Sequence, residues 1–155
     1  MQMFFDKNPQ MLFLRLQRYE DLFEGIQAAC AKYGVKYGTI TSCLGSLSKT
    51  VYNYIAYDEK SATKTSFCDS ITTDIPNEIL AACGTVGVSE KGGFDLHMHA
   101  LMIEPDGRIY GGHMLPGCRS LVTVEMSIAI TDAGTMTRIF EPDVRIALFN
   151  FLEKK

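Results

Sequence analysis

Hydrophobic residues change their period partway along this chain. Met11 to Leu16 is a short apolar run interrupted by Arg15, and it reads as a strand. Leu22, Phe23, Ile26, Ala29, Cys30 and Tyr33 then recur at the spacing of one helix face. Glu20-Asp21 precede them, where carboxylates favour the positive end of the helix dipole, and Gly34 follows as a C-cap. After Gly34 the pattern turns to β-formers and two-residue alternation. Tyr37 to Leu44 ends at Gly45-Ser46. Thr50 to Tyr57 sets Val51, Asn53, Ile55 and Tyr57 against Tyr52, Tyr54 and Ala56. Lys64 to Thr72 reads as a further strand, and Glu78 to Val88 as another, with Gly84 and Gly87 marking bulges or close packing. Phe94 to Ile103 and Arg108 to Met114 flank Pro105-Asp106-Gly107, a turn signal, and predict a hairpin. Ser120 to Ile130 alternates cleanly, and Thr135 to Phe140 follows. Asp143 is placed to cap a short C-terminal helix, Val144 to Leu152. The pattern predicts a single α+β domain over residues 1–155, with mostly antiparallel strands and a helix near each end.

The hairpin carries the chemistry. All three histidines, His97, His99 and His113, fall within seventeen residues. On a strand from Phe94 to Ile103, His97 and His99 share one face with Asp95, Leu101 and Ile103, while Met98, Ala100 and Met102 take the other face and the core. His99 and His113 each lie seven positions from Asp106, so cross-strand pairing brings them together. Two imidazoles at i and i+2 plus one from the partner strand make a three-nitrogen platform for a divalent cation such as Zn²⁺ or Fe²⁺, with a position left for water or substrate, as a metal-dependent enzyme or a small-molecule-binding protein would need. Gly111 and Gly112 let backbone or ligand approach closely. An isolated histidine is better read as hydrogen-bonded at a packed surface, and the clustering is what argues otherwise.

Composition narrows the function classes. A 46% hydrophobic and 21% charged chain fills an ordinary globular core. Met1 to Asp6 lacks a basic lead and a long apolar core, and no apolar run is long enough to span a membrane, so neither a signal peptide nor a membrane helix is expected. Five cysteines, an odd number with no CxxC spacing, point to free thiols in a reducing cytoplasm. The net charge of −3, with Lys and Arg scattered singly except for Lys154-Lys155, weighs against DNA binding through phosphates.

Other charged residues fall inside apolar strands. Glu125, between Val124 and Met126, is either a solvent-face carboxylate or a buried one in need of a partner, for which Arg15 is the candidate. Glu78 and Arg138 pose the same question. The Tyr52, Tyr54 and Tyr57 group is read as sheet packing in preference to base stacking. His97-x-His99-x(4)-Glu104-x(6)-Gly111 resembles the first cupin metal motif, but Glu104 runs straight into the Pro105-Asp106-Gly107 turn and no second cupin motif follows.

From about Arg15 to Ile130 the chain resembles the PPC domain (plant and prokaryote conserved domain). The resemblance rests on Tyr19-Glu20-Asp21-Leu22, Gly45-Ser46-Leu47-Ser48 and Glu78-Ile79-Leu80. Its most specific parts are His97-Met98-His99-Ala100, Asp106-Gly107-Arg108, Gly111-Gly112-His113-Met114-Leu115 and Val124-Glu125. Tyr19 stands where the family usually has glycine. The resemblance implies an α/β sandwich-like fold with a largely antiparallel sheet, a homotrimer, and a metal site at His97, His99 and His113. It also implies a DNA-binding or regulatory role, although the AT-hook that reads the minor groove in plant members has no counterpart here.

Overall fold

Asp21 starts the one helix among the described residues, which are residues 10–154. In the computed structural model of the chain its carboxylate accepts hydrogen bonds from the N–H groups of Phe23 at 2.9 Å and Glu24 at 3.1 Å. Two of the amides that a helix start leaves unpaired are thereby satisfied. Helix α1 (Leu22–Tyr33) ends at Gly34, whose φ of 66° is the left-handed turn that glycine adopts without strain. Leu22, Ile26 and Cys30 form its buried stripe. The reading of Met1 to Asp6 lies outside the described residues.

The rest is strand: β1 (Gln10–Leu16), β2 (Gly38–Asn53), β3 (Ile55–Tyr57), β4 (Thr65–Phe67), β5 (Ile71–Thr73), β6 (Asn77–Ser89), β7 (Phe94–Ile103), β8 (Ile109–Met114), β9 (Arg119–Ile130), β10 (Gly134–Glu141) and β11 (Ile146–Glu153). The large sheet runs β1-β9-β2-β8-β7-β6-β10-β11, with β5 attached to β2. Strand β2 lies between β9 and β6 and, at Tyr52 and Asn53, also pairs with β8. The pairings β2–β8–β7–β6–β2 therefore close on themselves. Strands β3 and β4 form a separate two-stranded ribbon. Leu12, Leu16, Ile40, Leu47, Met98, Met102, Val124 and Ile128 pack with the helix stripe in one core.

Two expectations are corrected. The described residues are mostly β with one helix and a mixed sheet, in place of an α+β domain with two helices. Most pairings are antiparallel, but β10 runs parallel to β6 through Thr137↔Val88 and Arg138↔Ser89. Residues 144–152, expected as a helix, lie almost entirely in β11, paired with β10 from Gly134↔Glu153 to Glu141↔Ile146. Asp143 sits in the connecting turn, where Arg145 takes a φ of 55° and its N–H donates to the Glu141 carbonyl at 2.8 Å. That ladder satisfies the amides a helix would have paired internally.

The second correction concerns a boundary. Gly45-Ser46 does not end a strand, because β2 continues through it to Asn53. Gly45 has a φ of 138°, and a Cβ there would run into the backbone of Thr123 and Val124. The glycine serves close strand contact at a register irregularity, which a sequence reading takes for a stop.

Candidate metal centre

Strand alternation builds the site. In β7, Leu96, Met98, Ala100 and Met102 are buried, which turns Asp95, His97, His99 and Leu101 to the opposite face. The turn after Ile103 is closed by the Gly107 N–H donating to the Glu104 carbonyl at 2.9 Å, and by the Glu104 N–H donating to the Arg108 carbonyl at 3.0 Å. Its register sets His113 directly opposite His99.

The three imidazoles converge. Ring centroids lie 5.0 Å apart for His97 and His99, 4.9 Å for His97 and His113, and 5.4 Å for His99 and His113. One nitrogen from each ring falls within 4.8 Å of the others. His97 Nε2 and His99 Nε2 are 3.2 Å apart. Nitrogens roughly 2.1 Å from a tetrahedral zinc ion lie about 3.4 Å from each other, so this edge already has the dimension of a coordination polyhedron. His113 Nδ1 is buried with no hydrogen-bond partner among the described residues.

The electrostatics favour the neutral form of two of the rings, His97 and His113. Burial, followed by the charges of His97, His99 and Arg138, lowers the His113 pKa to about 4. Burial, then Arg138 and His99, lowers that of His97. Neutral imidazoles are the form that ligates metal, so protons do not compete for the site near neutrality.

The surroundings come from distant segments. Phe67 of β4 lies against His113, ring centroids 5.7 Å apart. Arg138 Nε of β10 is 3.4 Å from Asp95 Oδ1. Cys83 of β6 pairs with His99 in register. An open depression of about 470 Å³ beside His99 is lined by Cys83, Ala82, Leu101, Gly111 and Gly112, among others. Nothing in the sequence marked Phe67 or Cys83, because their place depends on pairings across many residues. Asp95 was marked only by sharing the histidine face.

Other singled-out residues lie elsewhere or do something else. Arg15 and Glu125 face each other across β1 and β9, as a pair should, but both are exposed and form no ion pair among the described residues. They line a different depression, with Phe13 and Leu44. Gly111 and Gly112 do allow close approach, chiefly by backbone: a Cβ at Gly111 would strike the Ala100 carbonyl, and one at Gly112 the Asn53 carbonyl. Glu104 does not join the histidine cluster. Its buried carboxylate accepts from Arg108 Nε at 3.0 Å, fixing the turn. Glu78 is exposed on β6. All five cysteines are unpaired, and burial pushes Cys30 and Cys118 up to about 11 and Cys43 up to about 12, so these three are inert as thiols. Among the described residues no helix is long and apolar enough to cross a membrane.

Solved structures share this arrangement of strands. A protein from Archaeoglobus fulgidus, called metal-containing, is 23% identical, covers 96% of this chain and 99% of its own, and superposes with a TM-score of 0.79. A "putative dna binding protein" from Bacteroides thetaiotaomicron is 17% identical over 97% of this chain and 98% of its own, with a TM-score of 0.76. A plant- and prokaryote-conserved (PPC) protein from Pyrococcus horikoshii is 19% identical over 98% of this chain and 97% of its own, with a TM-score of 0.75. At such identities the likeness establishes the fold alone. No curated protein matches the chain. Residues 3–132, which contain the histidine hairpin, match the Plants and Prokaryotes Conserved (PCC) domain, the family that the histidine and glycine motifs resemble. The chain belongs to that family.

Proposed function

We propose that this chain is a homotrimeric metal-binding module in which His97, His99 and His113 hold one divalent cation, zinc in the first instance, open to a small-molecule ligand. The observation that carries the reading is the convergence of three ring nitrogens within 4.8 Å on two adjacent strands. The metal-containing name of the Archaeoglobus fulgidus protein supports it. A cation on three neutral nitrogens keeps its charge and a free coordination position, and so supplies Lewis acidity toward a bound oxygen. The chain's own part is to fix the three donors on rigid strands and to shield His97 and His113 from solvent. No carboxylate joins the cluster among the described residues, so ligand binding is better supported than turnover.

Elemental analysis after zinc reconstitution tests the reading. One metal per chain is expected, with affinity at least about tenfold weaker in His99→Ala. Equal metal in the variant, or none in the parent protein, overturns it. If the metal instead locks subunits together, chelation will dissociate the assembly.

Self-association rests on a second face. Met11, Phe13, Leu44 and Val122 are 44–74% exposed on β1, β2 and β9, around the Arg15 and Glu125 pair. Such an exposed apolar patch is the kind of surface that a subunit contact covers. Mass measurement in solution should give a trimer for the parent protein and smaller species for Phe13→Glu.

DNA binding is the second reading, favoured by the name of the Bacteroides thetaiotaomicron relative and opposed by the net charge of −3. A duplex-binding titration at low and moderate salt decides it. Absence of a shift at low salt removes it.

A further inference from the structure

The Arg138 side chain stands by the histidine face but makes no hydrogen bond among the described residues. It lies on β10, whose parallel register with β6 pairs Arg138 with Ser89 and so brings it to the Asp95 end of the histidine face. Asp95 precedes His97 by two residues on that face, and its Oδ1 is 3.4 Å from Arg138 Nε. The two side chains are only 20% and 22% exposed. The guanidinium carbon sits over the Phe149 ring, 4.8 Å from its centroid. Nε is buried with no aligned acceptor, so the contact with Asp95 is a pairing of charges. A guanidinium offers five N–H donors in a rigid fork, and here only the Nε donor is shut off from water without an acceptor, which is costly. A brace between strands needs only the Asp95 contact and leaves that fork idle. Its charge also reaches the site, since Arg138 is among the causes that hold His97 and His113 neutral.

We propose that Arg138 reads an oxyanion on the ligand of the histidine site: a carboxylate or phosphate with one oxygen toward the cation and another in the guanidinium fork. The inference rests on the metal reading above. It names the class of ligand, a small anionic molecule, and a specificity residue that lies beyond the segment matching the family, residues 3–132. Bidentate recognition explains an arginine in place of a lysine, because only the planar fork matches two oxygens of one group. Asp95 holds the fork in place and competes with the ligand for it.

The test uses full-length protein loaded with cobalt(II), whose visible spectrum reports changes in the metal's ligands, titrated separately with acetate and with inorganic phosphate. Arg138→Gln should bind cobalt as the parent does but bind the anion at least about tenfold more weakly, with partial recovery in Arg138→Lys. Asp95→Asn, which frees the guanidinium, should bind the anion more tightly. Whichever anion shows the larger dependence on Arg138 identifies the source of the oxyanion. Anion affinity unchanged in both Arg138→Gln and Asp95→Asn, or no spectral response in the cobalt-loaded parent, overturns the proposal and leaves the metal reading standing. Failure of the parent to bind cobalt removes both.

Discussion

Two hairpins of this protein contrast in how sequence becomes structure. In β7 of the β7–β8 hairpin, buried and outward residues alternate, a Pro-Asp-Gly turn fixes the loop, and His99 lands opposite His113. In β10–β11 the burial along β11 follows no two-residue rhythm, and Val144, Leu148 and Phe151 have the spacing of a helix face. Both are antiparallel pairs, the second the longer. The first is specified by its own pattern. The second is specified by position: β10 lies parallel beside β6, and β11 completes that edge. Local pattern governs where one face is fully buried, and it loses authority at a sheet edge where both faces are half-covered.

The largest test of this contrast is packing. Met98 of β7 is fully buried, so Met98→Ala should lower the unfolding free energy by about 2–5 kcal/mol. Leu148 of β11 is 39% exposed, and Leu148→Ala should lose less than about 1.5 kcal/mol. Chemical denaturation measures both, and equal losses would break the comparison. The expected asymmetry also predicts that β11 amides exchange with solvent before those of β7.

A smaller effect is pH dependence confined to the first hairpin. The folded state holds His113 at about 4, below the ordinary value of 6.5 that an unfolded chain shows, and His97 is shifted the same way. Between these values the unfolded chain binds protons that the folded chain refuses. Stability is therefore complete above about pH 6.5 and declines as pH falls toward 4. Metal-free protein should lose roughly 5 °C of Tm across that window, and His113→Asn should flatten much of the slope. A profile unchanged in the variant would place the acid sensitivity elsewhere.

The smallest effect concerns the second turn. Arg145 has a φ of 55°, so Arg145→Gly should leave stability unchanged or raise it by up to about 1 kcal/mol. Were this segment a helix, the same change would cost about 1 kcal/mol. The sign of the Tm change decides between the two.

Much of the site was legible because it is local. His97 and His99 share a face by alternation alone, and their symmetry with His113 about Asp106 anticipated the observed pairing. Helix α1 was legible for the same reason, since Asp21 and Gly34 mark its ends by chemistry that needs no distant partner. The surroundings of the histidines were not legible. Phe67 and Cys83 arrive through a ribbon and a neighbouring strand, and Arg138 through the parallel β10–β6 contact. Arg15 and Glu125 illustrate the opposite case: the sequence paired them, but β1 and β9 turn both toward solvent.

By itself, then, the sequence determined those features whose energy is settled within a turn or a single strand pair: the capped helix, the alternating β7, the hairpin turn and the histidine trio it carries. The tertiary structure alone decided that residues 146–153 form a strand, that β2 runs on through Gly45, and that a guanidinium stands beside the imidazoles. Each of these depends on backbone groups finding partners far along the chain, and no local preference of a fraction of a kcal/mol outweighs a full ladder of hydrogen bonds.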